Sequence, residues 1–430
     1  MRLDVSIITN LATQRLTHIM MRIGSVVVCA ILSTSIGCAK QQTVRMPVEL
    51  KPDYARPLSD GASALRLITD PQRLPDLEAA YQNHDATLLT ALQQSLAWFA
   101  APSSRQFFPF EEITHEQARA SVAAFYDLFA ESYDAQSFVA DIRRMFDVYE
   151  SVGYNQRGVV LFTGYYAPTF RASRTRTSRF AYPLYNRPAD LVTDPVTGQP
   201  LGRRRLDDSV TQYYTRRQID QSRMFAGKEL VWLEDSLSAY IVHVNGSAKL
   251  RLNDGSLMYI GYAGKTDHPY TGLGQTMLDE GLIRSGELSL PAVRHVYEQN
   301  PKMVTDLIYR NKNYVFFTEY DGDLWPAGSL GVPVTAQRTL ATDKKVYPRG
   351  GLVLVNTKAV TFSEGQREFL EFMLDQDTGG AIQAPGRADI FMGVGASAEI
   401  LAGGQYAEGR LYYFFLKPEY APDGVANANR

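Results

Sequence analysis

The sequence predicts a mainly β architecture with α-helical decoration (α+β), and three observations carry that expectation. Amphipathic helical spacing is confined to the stretch before residue 150 and to an interval near 270–310. Short β-rich runs bounded by turn signals fill most of the remainder. The resulting order of helices, strands, helices and strands lacks the regular alternation that builds β-α-β units. With 430 residues and 45% hydrophobic composition the chain can bury a large core, either as two domains or as one large discontinuous domain.

The elements follow from the N-terminal side. After a polar, Pro-containing stretch over 41–57, Leu88, Leu89, Leu92, Leu96 and Phe99 form one helical stripe. A second comprises Ala118, Val122, Phe125 and Phe129 behind a Thr114-x-x-Gln117 capping box, and Phe138, Ile142, Met145 and Tyr149 make a third. The texture changes at "GVVLFTGYYAPTF", where Val159 to Phe162 reads as a strand and Pro168 leads into a basic, Ser/Thr-rich loop. "LVWLED", "SAYIVHVNG" and "AKLRLNDGSLMYIGYAG" read as further strands, the last as a hairpin around Asn253-Asp254-Gly255. "GQTMLDEG" and "PAVRHVYEQNPKMVTDLIYRN" read as helical, and strands return at "YVFFTE", "GLVLVNT" and "RLYYFFLK".

Formal net charge is -2 and the isoelectric point about 6.3, so no broad basic field collects nucleic acid, and none is expected as a partner. Most of the 25 Tyr and 20 Phe belong in the core, although Tyr can also stack on a sugar face and hydrogen-bond through its hydroxyl. Cys29 and Cys38 are the only cysteines, which leaves the body without disulfides or thiol chemistry. In "MRIGSVVVCAILSTSIGCAK", basic Arg22, an apolar run from Ile23 to Leu32 and small residues before Cys38 read as a secretion signal too short for a membrane span. Ser35-Ile36-Gly37-Cys38 resembles a bacterial lipobox, in which the cysteine is lipidated. The plainer alternative is a signal peptide with an incidental cysteine.

Six histidines, at 18, 84, 115, 243, 268 and 295, form no H-x-x-x-H pair, so neither a metal nor another cofactor is expected. Gly-x-Ser-x-Gly is absent, and "GYAGKT" lacks phosphate-loop spacing and reads as a loop. "DTGG" at Asp377 contains the Asp-Thr-Gly of aspartic proteases. The second copy which that chemistry needs is missing, because Asp254-Gly255 and Asp321-Gly322 lack its form. Asp377 and Asp389 flank a stretch rich in Gly, Ala and Pro, where residue type alone allows a catalytic pair, a metal cradle or turn residues.

Several stretches, in order over about 250 residues, resemble the membrane-bound lytic murein transglycosylase A family. They are "FTGYYAP" (162–168), "YPLY" (182–185), "YAGKTDHPYTGLGQTMLDEG" (262–281), "NKNYVFF" (311–317), "LGVPVTAQRTLATD" (330–343) and "DTGGAIQAPGRADIFMG" (377–393). The C-terminal part resembles the 3D domain, whose three aspartates fall on Asp343, Asp377 and Asp389. The resemblance implies a double-psi β-barrel with an inserted β-rich domain and a glycan groove between them. Its division of the chain is a signal segment 1–38, linker 39–57, helical part of the barrel domain 58–164, insert 165–317, C-terminal barrel part 318–418 and tail 419–430.

The resemblance makes Asp389 the catalytic acid/base, with Asp377 and Asp343 in support; a turn-forming role for Asp377 stays open beside it. Such an enzyme needs one protein acid where a hydrolase needs two, because the C6 hydroxyl of N-acetylmuramic acid is the nucleophile. The donor must be protonated near neutral pH, and apolar Ile390 and Phe391 with negative charge from Asp377 or Asp343 are the expected causes. Thr163, Tyr165 and Tyr166 are candidate sugar contacts, with strand alternation allowing one of the two tyrosines to face the groove. Lys265 and Tyr270 are candidates for a second wall. Expected partners are peptidoglycan glycan strands and, through Cys38, the outer membrane at its periplasmic face. A murein-binding protein without activity and a two-acid glycan hydrolase are the competing readings.

Overall fold

In the computed structural model the described residues are 52–422, apart from 132, 133, 196, 197, 223, 285 and 364. The signal segment with Cys29 and Cys38 lies outside them. A short strand β1 (Leu65–Leu67) precedes four helices, α1 (Leu77–Gln82), α2 (Ala86–Ala100), α3 (His115–Ala130) and α4 (Ala135–Met145). Strands β2 (Phe146–Ser151) and β3 (Val160–Ala167) follow. Next come β4 (Thr169–Ser173), β5 (Tyr182–Tyr185), β6 (Leu191–Thr193), β7 (Pro200–Arg204), β8 (Val210–Thr211), α5 (Arg216–Gln221), β9 (Glu229–Leu233) and α6 (Ser236–Asn245). The hairpin β10 (Ser247–Leu252) and β11 (Leu257–Lys265) leads to α7 (Leu273–Asp279), α8 (Leu290–Gln299), α9 (Pro301–Ile308) and β12 (Val315–Tyr320). The chain then runs through β13 (Thr339–Ala341), β14 (Leu352–Thr361), β15 (Gly365–Asp377), β16 (Arg387–Val394), α10 (Gly395–Gly404) and β17 (Tyr406–Leu416).

Six strands, in the order β17-β14-β15-β13-β16-β3, close on themselves because β17 also pairs with β3. The double-psi barrel implied by the resemblance is therefore present, with β2 and β1 extending the sheet beyond β17. Two of its pairings, β13 with β15 and β16 with β3, are parallel. The sheet β12-β11-β10-β4-β9-β5 and the small sheet β6-β7-β8 form the β-rich insert. In this structure β3 runs on to Ala167, so residues 165–167 stand in the barrel, and the insert sheet spans Thr169 to Tyr320.

Apolar burial joins the N-terminal helices to the barrel. The Phe125, Phe129 and Phe138 rings of α3 and α4 pack on Phe372 of β15, with centroids 4.8, 6.0 and 5.9 Å away. Leu184, Val231, Leu250, Met258, Ile260 and Phe317 form the separate core of the insert sheet. At the junction Trp325 packs with Ala167, Val334 and Phe391, and its Nε1 donates to the Ile260 carbonyl at 3.0 Å.

Several local expectations change. "SAYIVHVNG" is helix α6 and not a strand: Asp235 caps it by accepting from Ser238 N, and Gly246 at φ 73° closes it. Every residue from Leu237 to His243 is buried, so no polar face marks the helical period. Tyr149 lies in β2, because α4 ends at Met145. The Thr114 box is half made: its hydroxyl accepts from Gln117 N, while Gln117 Nε2 bonds the Leu416 carbonyl across to the barrel. Residues 290–310 form two helices, since Asn300 caps a new one at Pro301. "GYAGK" continues strand β11 to Lys265, paired with Val315, and the loop begins at Thr266.

Candidate active site

The candidate acids stand on neighbouring barrel strands at one level. Asp389 of β16 lies opposite Thr163 of β3 on one side and Ala341 of β13 on the other, and Ala341 in turn lies opposite Asp377 of β15. The two carboxylates are thus two strand spacings apart, about 10 Å between main chains, with a methyl group between them.

The two acids are held differently. Asp377 Oδ1 accepts from the backbone N–H groups of Ser329 and Thr378, both at 2.8 Å, and Oδ2 accepts from the Tyr165 hydroxyl at 2.9 Å. Ser329 reaches it because Gly328 packs tightly below: a Cβ there would lie 2.8 Å from the Gln376 carbonyl oxygen. Burial pushes the Asp377 carboxyl above its usual range, against the pull of these hydrogen bonds. Tyr165 is pushed well above the ordinary tyrosine value, first by burial and then by Asp377 and Asp389, so it stays a neutral donor. Its ring packs on Phe391, with centroids 5.2 Å apart.

Asp389 is bound by side chains. The Thr163 hydroxyl donates to Oδ1, and Arg387 approaches with Nε 3.0 Å from Oδ1 and Nη2 3.3 Å from Oδ2. Arg387 also donates to Thr163 Oγ1 at 3.2 and 3.1 Å and to the Ala381 carbonyl at 3.3 Å. The charged group against Asp389 is therefore a cation, where the sequence suggested an acid. Arg387 was missed, although strand alternation two residues from Asp389 puts it on the same face.

Asp343 braces the loops. Its Oδ1 accepts from Lys345 N at 3.0 Å and its Oδ2 from Ala384 N at 2.8 Å, tying the turn after β13 to the 378–386 loop. Beneath the site the sequence also left unread a buried cluster: Asp375 pairs with Lys344 and accepts from Thr342 Oγ1 at 2.8 Å and Tyr413 OH at 2.7 Å. Burial raises Asp375 and lowers Lys344 from their ordinary values.

A groove of about 250 Å³ opens between barrel and insert. Gly164, Tyr165, Tyr166 and α10 form one wall, and Tyr240, Tyr270, Leu273 and Val293 the other. Both neighbouring tyrosines border it, contrary to the simple alternation. Tyr165 turns its hydroxyl to Asp377, while Tyr166 donates to Glu399 at 2.8 Å, a carboxylate also paired with Arg294 of α8. Thr163 and Asp389 lie next along β3 and β16, outside the lining itself. On the insert side the 266–271 loop is pinned by the "NKN" segment. Asn313 Nδ2 donates to the Thr266 and His268 carbonyls at 2.9 Å, and Asn311 Oδ1 accepts from Thr271 N at 3.2 Å. Lys265 Nζ stands beside Gly380 of the barrel loop, 3.5 Å from where a Cβ would be. Among the described residues no group of three or more His, Cys, Asp or Glu is placed to hold a metal ion.

Comparison with known proteins finds two family matches within the chain. Residues 161–318 match the MltA specific insert domain and residues 338–415 the 3D domain. The membrane-bound lytic murein transglycosylase A of Escherichia coli (strain K12) is 30% identical over 278 residues, covering 63% of this chain and 70% of that protein. The chain belongs to the membrane-bound lytic murein transglycosylase A family. The Vibrio cholerae member is 28% identical over 279 residues, covering 63% of this chain and 70% of its own length. Among solved structures, the membrane-bound lytic murein transglycosylase from Agrobacterium tumefaciens aligns with TM-score 0.66 and 26% identity, covering 79% of this chain and 95% of that one. The E. coli protein with bound chitohexaose aligns with TM-score 0.63 over 85% of this chain and 99% of its own, and at 22% identity it speaks to the shared fold.

Proposed function

We infer that this chain is a lytic murein transglycosylase, cleaving the β-1,4 bond between N-acetylmuramic acid and N-acetylglucosamine in peptidoglycan strands and leaving a 1,6-anhydro-N-acetylmuramic acid end. Family membership supplies the reaction class, and the geometry supports Asp389 as its single acid/base. The observation that carries this assignment is the contrast in how the two acids are held. Asp377 has Oδ1 committed to two backbone N–H groups that fix it in place, whereas Asp389 is held only by the side chains of Thr163 and Arg387.

In the reaction, protonated Asp389 gives its proton to the glycosidic oxygen as the bond from C1 breaks. The C6 hydroxyl of the same muramic ring attacks C1, and its proton returns to the Asp389 carboxylate. The intramolecular hydroxyl takes the place of water, and no water is consumed. Tyr165 and Asp377 support the frame, Thr163 orients Asp389, and Tyr166, Tyr270 and Lys265 line or flank the path of the glycan. Asp343 acts as a loop brace.

Product analysis on purified sacculi tests the reading: the new ends should be lighter by one water than hydrolysed ends and carry no oxygen from labelled solvent. Incorporation of that oxygen would make the protein a hydrolase, with Asp377 the first suspect as second acid. The relatives are membrane-bound by name. For this chain we propose a lipid anchor on Cys38 in the outer membrane, facing the periplasm; Ala39 and Lys40 follow it, without the Asp that retains many such lipoproteins in the inner membrane. Cys38→Ala should release soluble protein on fractionation, and unchanged membrane association would reject the anchor.

A further inference from the structure

The ion pair at Asp389 poses a chemical problem which the acid/base reading leaves open. A general acid has to bring an oxygen up to the glycosidic oxygen, yet the fork of Arg387 spans both oxygens of Asp389 and occupies them. The other groups around Asp389 do not offset the charge of Arg387 at contact distance. Its own strand offers Arg387, β3 offers Thr163 and Tyr165, β13 offers Ala341, and Asp377 of β15 reaches the cluster through Tyr165. On the facing insert stand Lys265 and Tyr270, the latter within electrostatic reach of Arg387.

Two cations flank the same loop. Arg387 binds the Ala381 carbonyl, and Lys265 lies beside the preceding Gly380. Among the described residues no carboxylate partners Lys265; burial and the nearby Lys345 cation both lower it from the usual lysine value. Arg387 keeps 29% of its side chain exposed, so its outer edge is open to a ligand. Lys265, with no carboxylate partner among the described residues, and Arg387, with its outer edge open, together make a place for an anion beside the loop.

N-acetylmuramic acid differs from N-acetylglucosamine by a lactyl ether that ends in a carboxyl group. That group is free on a bare strand; on a strand with peptide stems it is amidated, and the peptide brings carboxylates of its own. We propose that Arg387, backed by Lys265, reads a carboxylate carried by the muramic residue, and that this carboxylate draws Arg387 off Asp389 and frees the Asp389 oxygens to meet the glycosidic oxygen. The proposal rests on the transglycosylase reading and makes Arg387 a positioning residue with a role in selecting the substrate.

Binding without turnover separates the parts. In Asp389→Asn protein, adding Arg387→Gln should weaken binding of murein strands about tenfold and leave binding of the neutral N-acetylglucosamine hexamer unchanged. Strands stripped of peptide by an amidase distinguish the sources: a loss on stripped strands assigns the lactyl carboxylate, and a loss confined to stem-bearing strands assigns the peptide. An equal loss on the neutral hexamer, or none on any murein strand, overturns the recognition. In the active protein, Arg387→Gln should raise KM for murein strands about tenfold, and Arg387→Lys should restore most of that loss. A KM that stays at the wild-type value in both variants overturns the latch. If wild-type products instead prove hydrolytic, the transglycosylase reading fails by itself, and the binding measurements still judge the carboxylate site.

Discussion

The barrel and the insert sheet place polarity in opposite ways. The barrel buries it: Asp375, Lys344, Thr342, Thr339, Gln376 and Asp389 are all buried. The insert sheet has an apolar centre of Leu, Val, Met, Ile and Phe, and it carries Lys265, beside the barrel loop, at a strand end and groove-lining Tyr270 in a loop. A closed barrel has no free edge inside its ring, and paired strands on each side of β16 and β3 fix the frame that Asp389 and Thr163 need. The insert supplies a wall, for which approximate placement is enough. Precision and adaptability are thereby assigned to different parts of one chain.

The largest expected effect tests the barrel's half of that contrast. Asp389→Asn removes the transferable proton while nearly conserving volume, so turnover of sacculi should fall by at least about a hundredfold, with the thermal unfolding midpoint close to wild type. Next comes the buried pair below it. Asp375→Ala strands Lys344 and the Tyr413 hydroxyl in the core and should cost about 3–5 kcal/mol in urea unfolding. Glu319→Ala on the insert breaks only the exposed pair with Arg174 and should cost under about 1 kcal/mol. Equal losses would erase the distinction between the regions.

A third test concerns the wall. Tyr270→Ala should raise KM about three- to tenfold by removing a ring that flanks the glycan, while kcat and stability change little; a fall in kcat alone would move Tyr270 into the chemistry. The smallest effect is a pH dependence. Burial raises the Asp377 carboxyl in the folded state, so its contribution to stability is complete below the unfolded-state value and is lost as pH rises through the folded value. Asp377→Asn abolishes that titration. Its melting midpoint relative to wild type should therefore improve from pH 4 to pH 8, and a constant difference would remove the inferred burial effect. Its activity should fall less than that of Asp389→Asn.

The insert was readable in its hairpin and in β9 and β12, whereas β4, expected as the start of a loop after Pro168, is a strand paired with β10 and β9, β5 to β8 and α5 went unread, and α6 was read as a strand. The Asn253-Asp254-Gly255 turn joins strands adjacent in sequence, so local chemistry sets their register. Helix α6 escaped because burial on every side removed the polar stripe that reveals a helical period. The barrel depends on pairings between distant segments, such as Asp389 with Thr163, and no local pattern encodes those. Asp343, Asp377 and Asp389 were found through the family resemblance. Arg387 was within reach of alternation on β16, whereas Ser329 was not, since it meets Asp377 only after the 321–338 segment has folded back onto β15.

The closing strand has a consequence for how the protein is made. β17 closes the ring by pairing with β3 through Tyr406–Gly409 and with β14 through Arg410–Tyr413, so the ring around Asp389 stays open until Tyr413 has been synthesised. The insert sheet needs nothing beyond Tyr320 and can assemble while the barrel is still a set of unjoined pieces. A nascent chain therefore acquires its wall before its acid is framed. Chains truncated within β17 should retain a protease-resistant fragment near 169–320 but lack wall-degrading activity, which would protect the producing cell from incompletely made copies.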